Sequence, residues 1–312
     1  MPLISLVVPA YNEEEVLEAF HREVSEEIDR LPDDFEFVFV DDGSRDQTAP
    51  IMRQLSARDP RVRAVILSRN FGHEAAIEAG LRAARGDAVI VMDADLQDGP
   101  EIIPRLIGAW REGADVVYAV RKGRKEGRLL RAAFSGFYGL ASRVMSIDLP
   151  RDAGPFSLMD RQVVDVINDL PEKGRYFPGL RAFAGFRQVP VEAERRERAA
   201  GETKYSLVKR TLGGTNAIFS FSKLPLRLMT LMGFLMTILA VAGLIWVIIG
   251  AIFGTGTAQG WTSVMTVMFF LAAFIFTFLG ILGEYVGKIY DEVRARPNYV
   301  VAEEIGPEDP AR

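Results

Sequence analysis

Two long stretches without a charged residue, Leu228–Phe253 and Thr262–Gly283, constrain this chain more than anything else in its 312 residues. As helices they would extend roughly 39 and 33 Å, against a hydrocarbon core of about 30 Å. Both fit a bilayer, the first with some tilt, and a soluble fold rarely buries uncharged runs of that length. The uncharged linker Gly254–Gly260 joins them. Lys223 and Arg227 precede the first; Lys288, Arg294 and Arg296 follow the second. Counting lysine and arginine near the ends puts the linker outside and both termini in the cytoplasm. The expected layout is a cytoplasmic domain over residues 1–222, a membrane hairpin over 223–290 with spans at about 228–253 and 262–283, and a cytoplasmic tail over 291–312.

The first apolar run is too short, and too closely followed by a soluble pattern, for a signal peptide. The absence of cysteine excludes disulfides and thiolate sites, and a net charge of −5 gives no reason to expect nucleic acid as a partner.

The first domain alternates strands with helices. Leu3–Ala10, Phe35–Val40, Val62–Leu67, Ala88–Met92 and Asp115–Ala119 read as strands, and His73–Ala84 and Glu101–Arg111 as helices. Asn12 is the expected N-cap of a helix reaching about Asp29. Such alternation predicts a parallel sheet covered on both faces, with ligands at the carboxyl ends of its strands. Three strands end there in polar groups: Tyr11, Asn12 and Glu13; Asp41 and Asp42; Asp93 and Asp95. On an extended chain Asp93, Asp95 and Gln97 would point one way, an all-oxygen set suited to Mg²⁺ or Mn²⁺ with phosphate. An acidic turn after a buried strand explains the same letters. Gly43 and Gly86 read as turn residues, and His73 as a helix start with no catalytic role. No G-x-G-x-x-G follows the first strand and no G-x-x-x-x-G-K-[ST] occurs, which disfavours dinucleotide oxidoreductases and P-loop NTPases.

The segments VVPAYNEEE, VDDGSRDQT, LSRNFGHEAAIEAG and MDADLQDGPE, with the later AGETKYS and FSFSKLPLRL, resemble successive motifs of glycosyltransferase family 2 enzymes. The likeness covers nearly the whole chain. It is similar to bacterial polyisoprenyl-phosphate glycosyltransferases and to dolichyl-phosphate mannose synthase. The resemblance implies a GT-A (Rossmann-like), mostly parallel α/β sheet with helices on both faces, interfacial amphipathic helices and two C-terminal transmembrane helices. It implies that Pro9, Ala10, Tyr11 and Glu13 border the base and ribose, with Asp42 also reading the nucleoside. Asp93 would contact the sugar end of the donor, and Asp95 and Gln97 would hold Mg²⁺ or Mn²⁺ against the diphosphate. For Asp41 a turn or cap stays open.

Arg121, Arg128 and Arg131 lie in a basic stretch that reads either as a solvated Gly-containing loop or as one that binds the acceptor phosphate or closes over the donor, and the resemblance suggests a mobile loop there. Leu130, Phe134, Phe137, Ala141 and Val144 recur at helical spacing, fitting a core helix or an interfacial one at about 128–146; residues 206–221 form a second candidate. Arg195, Arg198 and Lys204 resemble the region that closes on the donor phosphates. The segment Arg151–Arg161 corresponds to the family pattern D-x-G-D-F-R-L-M-D-R. Pro155 and Ser157 replace its second acidic residue and its first arginine, leaving Asp152 as a nearby candidate for positioning.

The implied activity is metal-dependent, inverting transfer of a hexose from a nucleotide sugar, UDP-glucose foremost, to polyprenyl phosphate at the cytoplasmic membrane face. An acceptor phosphate already ionised at neutral pH needs no strong base. A GDP-mannose-dependent mannosyltransferase, an enzyme that elongates a polysaccharide, and a non-catalytic membrane partner of glycolipid export remain alternatives. Gly243, Gly250, Gly280 and Gly283 could let the spans pack closely, with each other or in a homo-oligomer. The acidic, Pro-rich tail Glu303–Arg312 is expected to fray.

Overall fold

The structure is a computed structural model and describes residues 1–97, 99–121, 153–173, 175–193, 224–252 and 260–307. Strand β1 (Leu3–Ala10) lies between β4 (Ala88–Val91) and β2 (Asp34–Asp41), parallel to both, and β3 (Val62–Leu67) runs parallel beyond β2. From Ile4 onward β1 is buried throughout, because a central parallel strand has helices over both faces. On one face α1 (Leu17–Ile28) and α2 (Thr48–Arg58) set Phe20, Val24, Met52 and Leu55 against Leu6, Phe37 and Phe39. On the other, α3 (His73–Ala83) sets Ile77 and Leu81 against Val7 and Val38. These elements follow from hydrophobic periodicity.

The rest of the sheet departs from the parallel expectation. β6 (Ala153–Asp160) inserts between β4 and β5 (Val116–Arg121), antiparallel to both, and β7 (Gln188–Ala193) lies parallel outside β5. The full order is β7-β5-β6-β4-β1-β2-β3-β8, with β8 (Val301–Ile305) at the far edge. Helix α4 (Ile103–Arg111), preceded by a 3₁₀ turn at Pro100–Ile102, covers one face; α5 (Arg161–Asp169) and α6 (Phe177–Phe183) cover the other.

Two expectations need correction here. Asn12 does not cap α1: the helix begins at Leu17, Asn12 has φ +53°, and its side-chain oxygen accepts from Arg45 N at 2.9 Å. The tail does not fray at Glu303, because Val301–Ile305 forms β8, antiparallel to β3, with Glu303 paired to Arg53 at 2.6 and 3.2 Å. An edge strand held by its backbone needs no apolar alternation, so its acidic letters hid it.

Downstream, α7 (Leu224–Ile252) and α8 (Trp261–Arg294) pack against each other; α8 contains the second predicted apolar run and α7 the first as far as Ile252. Among the described residues, Phe270–Arg294 is long and apolar enough to cross a membrane, with mean hydropathy 1.8 and no buried residue in its apolar window. The corresponding stretch of α7, Met229–Gly243, is shorter. Gly243, Gly280 and Gly283 have no neighbour within 4 Å of where a Cβ would stand. The two expected interfacial helices lie outside the described residues.

Candidate active site

Parallel pairing brings the carboxyl ends of β1, β2 and β4 to one edge, in the order β4-β1-β2. Two loops there are laced together. Asp42 N donates to Ala10 O at 2.9 Å, extending the β1–β2 ladder past its last residue. Asn12 N donates to Ser44 Oγ and Glu13 N to Thr48 Oγ1, each at 2.9 Å. Gln47 N donates back to Glu14 at 2.8 Å. Pro9 and Ala10 are buried at the end of β1, and Tyr11 and Glu13 stand half-buried just beyond. These four crossed bonds, with that from Arg45 N to Asn12, fix the positions of Tyr11 and Glu13 relative to Asp42 before any ligand arrives.

The two adjacent aspartates take different parts. Asp41, 1% exposed, accepts from Ser44 N, which settles it as a turn residue. Asp42, 3% exposed, accepts from Phe71 N at 2.7 Å and Gly72 N at 2.9 Å. It thereby draws the loop between β3 and α3 against the end of β2. Burial pushes both carboxyls above the ordinary range, against the pull of those N–H donors. Gly43 makes the approach possible. Its φ is +67°, and a Cβ there would stand 2.3 Å from the carbonyl carbon of Arg69. Gly86 is needed for a different reason than turn geometry: a Cβ would meet Leu3 O and Ser5 N at 2.7 Å.

β4 ends at Val91, and the acidic segment after it is not extended. A turn covers Ala94–Asp95, Leu96 takes φ +55°, and Asp95 Oδ1 accepts from Gln97 N at 3.1 Å. The alternation that would aim Asp93, Asp95 and Gln97 one way therefore does not apply, and each is oriented by the turn instead. Asp93 and Asp95 remain half-buried. The structure adds a residue to which the sequence assigned no role: His73 Nε2 stands 3.4 Å from Asp93 Oδ1. The available signal was positional. A helix entered directly from the carboxyl end of a parallel strand starts at the ligand edge, with its positive dipole end there. Next to it, Glu74 accepts from Phe177 N at 2.8 Å, tying α3 to α6, and burial raises its carboxyl as well.

The second half of the sheet delivers its ends to the same edge. β5 and β4 are both antiparallel to β6, so they run the same way. Arg121 closes β5 opposite Ala193, the last residue of β7, and β6 begins beside Val120. The chain thus leaves the ligand edge after Arg121, returns to it at Ala153, and leaves it again after Ala193. Arg128, Arg131, Asp152, Arg195, Arg198 and Lys204 follow or precede those points but lie outside the described residues.

Ser157, standing where the family pattern has arginine, is buried on β6 with its hydroxyl donating to Pro155 O. Arg181 of α6 occupies the same face. It is 0% exposed, lies 5.0 Å from the Tyr118 ring centroid, and donates to Gly154 O at 3.4 Å. Its Nε and Nη2 meet no acceptor among the described residues, and burial pushes it down to about 10. Sequence reasoning passed over it because an arginine within FPGLRAF gives no sign of facing inward.

A divalent cation fits this edge through few protein ligands. No three of the described acidic or histidine side chains gather as a cage. Asp95, pinned by its bond from Gln97 N, offers a carboxylate of the kind that holds Mg²⁺ or Mn²⁺ together with substrate phosphates.

Comparison with known proteins identifies a family and several relatives. Residues 5–167 match the family described as Glycosyl transferase family 2. The chain is 42% identical over 306 residues, 98% of its length and 95% of the relative's, to Uncharacterized glycosyltransferase YkcC of Bacillus subtilis (strain 168). It is 40% identical over 299 residues, 96% of its length and 97% of the relative's, to the SfII prophage-derived bactoprenol glucosyl transferase of Shigella flexneri. A solved glucosyl-3-phosphoglycerate synthase from Mycobacterium tuberculosis, in complex with Mn²⁺, UDP and glucosyl-3-phosphoglycerate, is 22% identical with a TM-score of 0.47. It covers 70% of this chain and 78% of that one.

Proposed function

The chain belongs to glycosyl transferase family 2, and from that premise we propose that it transfers a glucosyl group from a nucleotide sugar to a polyprenyl phosphate at the cytoplasmic face of a membrane. One observation carries the reading: the 40% identity to a bactoprenol glucosyl transferase runs through 96% of the chain. UDP-glucose is the proposed donor.

In this reading Pro9, Ala10, Tyr11, Glu13 and Asp42 form the nucleoside end of the pocket. Asp93, with His73 beside it, faces the sugar. Asp95 and Gln97 would hold a divalent ion, which when bound supplies positive charge against the departing nucleoside diphosphate. The laced loops hold the nucleoside, so the anomeric carbon is presented at a fixed place and much of the barrier is met by positioning. The acceptor arrives already ionised. No group has to remove its proton, and direct attack by its oxygen inverts the anomeric centre. The new bond joins that oxygen to the anomeric carbon, and the nucleoside diphosphate leaves with the electron pair of the broken bond. Arg121, Arg128 and Arg131 are the proposed cations for the acceptor phosphate, and Arg195, Arg198 and Lys204 those for the donor. The departure of both segments from the same sheet edge supports this.

The fold also supports two spans. β8 pairs with β3, so the chain after α8 lies on the same side as the catalytic domain. Between Ala193 and Val301 it must therefore cross an even number of times. With α8 carrying one span, α7 is the proposed second.

A donor screen tests the proposal. Purified protein with Mn²⁺ or Mg²⁺ and a short polyprenyl phosphate is given UDP-glucose, UDP-galactose, UDP-GlcNAc or GDP-mannose, and the lipid product is read by mass. The expected result is a hexosyl phospholipid from UDP-glucose that falls by about 10²-fold or more in Asp95→Ala, the size expected for loss of a transition-state charge stabiliser. Full activity of Asp95→Ala with metal chelated would sink the metal assignment. No product from any donor would sink the reaction.

A further inference from the structure

The stretch that follows the last membrane helix lies against the wall of the nucleoside pocket. α8 ends at Arg294 with Ala295 in the left-handed conformation (φ +51°), and only a few residues separate it from β8. Three contacts in that interval reach the start of the segment between β3 and α3 and the elements on either side of it. Val300 O accepts from Ser68 N at 2.9 Å, holding the start of the loop. Asn298 Nδ2 donates to Glu78 Oε2 at 2.7 Å, holding the helix into which the loop runs. Tyr299 packs between them, against the cluster of Val40, Val65, Leu67, Ala76 and Ala79 that also seats Phe71.

Glu78 is itself buried and further engaged by Arg175 at 3.2 Å and Arg82 at 3.3 Å. The Asn298 bond therefore ends on a rigid group rather than a surface side chain. Between these fastened ends lies Arg69–Gly72, whose Phe71 and Gly72 N–H groups hold Asp42. The membrane end is secured as well, since Glu292 of α8 accepts from Lys173 N at 2.8 Å.

We propose that Asn298, Tyr299 and Val300 are positioning residues for the nucleotide donor: by fastening both ends of the Ser68–His73 connection they keep its backbone amides on Asp42, and so couple the membrane anchor to the nucleoside pocket. The inference rests on the reading of Asp42 as part of that pocket. A short loop whose two ends are fixed loses little further conformational entropy when a ligand orders it. Released at one side, it must be ordered at the moment of binding. The expected signature is a donor-specific loss, with the acceptor side unaffected.

The test compares full-length protein with a chain ending at Pro297, both in lipid nanodiscs with Mn²⁺, by titration calorimetry with UDP and with GDP. The truncated chain is expected to bind the preferred nucleotide at least tenfold more weakly. A synthetic peptide of residues 298–307 supplied in trans should restore much of the loss by adding back the strand. Hydrogen exchange at Ser68–Gly72 should rise in parallel.

Should the truncated chain fail to fold, full-length Asn298→Leu/Tyr299→Ala, which keeps the β8 backbone, takes its place. It is expected to raise the donor KM three- to tenfold with kcat and acceptor KM unchanged. Binding within twofold of the full-length protein in the truncated chain overturns the inference. So does a variant that loses kcat at constant donor KM, because that marks loss of folded protein. Full-length protein that binds neither nucleotide overturns the proposed function instead.

Discussion

Replacing Gly43 with alanine tests the pocket from its other side. The substitution adds one methyl group to a turn between Asp42 and Ser44, at φ +67°, facing the backbone of Arg69 and Asn70 at 2.3 to 2.7 Å. The left-handed conformation alone costs an L-residue roughly 1–2 kcal/mol. The contact adds about 1–3 kcal/mol of overpacking, because backbone atoms cannot change rotamer to relieve it. What would give way is the Arg69–Gly72 backbone, held to Asp42 by two N–H bonds to a charged acceptor, each contributing roughly 1.5–3 kcal/mol. Strain and restraint are thus of similar size, and the loop should shift rather than the domain unfold. The expected outcome is nucleoside diphosphate binding weakened at least tenfold by calorimetry, with the melting temperature lowered by several degrees and the protein still folded. Unchanged affinity and unchanged melting in Gly43→Ala would refute the argument, since the methyl group would then have been accommodated without disturbing Asp42.

Two further outcomes follow from buried charge elsewhere. Arg181→Met should leave the protein equally stable or raise its stability by about 1–3 kcal/mol in thermal unfolding, because a buried guanidinium with two nitrogens lacking acceptors among the described residues gains little for its desolvation. A loss above about 1 kcal/mol would show that the guanidinium is fully paired. His21 concerns pH. Burial lowers its pKa below 6.5, with Asp59 pulling the other way and Arg61 and Asp29 nearby. The unfolded chain therefore binds a proton more readily than the folded one, and the stability linked to this group is present above pH 6.5 and lost as pH falls below it. His21→Gln should flatten the unfolding midpoint between pH 6.5 and 5 (the range is set by the ordinary imidazole value). An unchanged slope would mean that His21 is not the group responsible.

Much of this protein was legible from its letters, for definite physical reasons. Uninterrupted apolar runs, strand–helix alternation and short polar motifs at strand ends are local signals, and each was found where periodicity put it: β1, β2, β3, α3 and both long helices. The convergence of Tyr11, Asp42 and Asp93 on one edge was also readable, because parallel strands must end on the same side. Long-range pairing was not. β8 is short, acidic and exposed, and only its register against β3 makes it a strand. The turn after Met92 removed the simple alternation of Asp93, Asp95 and Gln97. The contact between His73 and Asp93 joins residues from two different strand–helix units. Arg181 looks like any arginine in a helix until the fold turns it inward onto the Tyr118 ring and Gly154 O. The sequence by itself determined what kinds of element form and which chemistry lies at their ends, because those depend on neighbours within a few residues. Which loop is fastened to which, and which charge is buried, was decided by the tertiary structure alone, because those contacts cross 27 to 250 positions of chain.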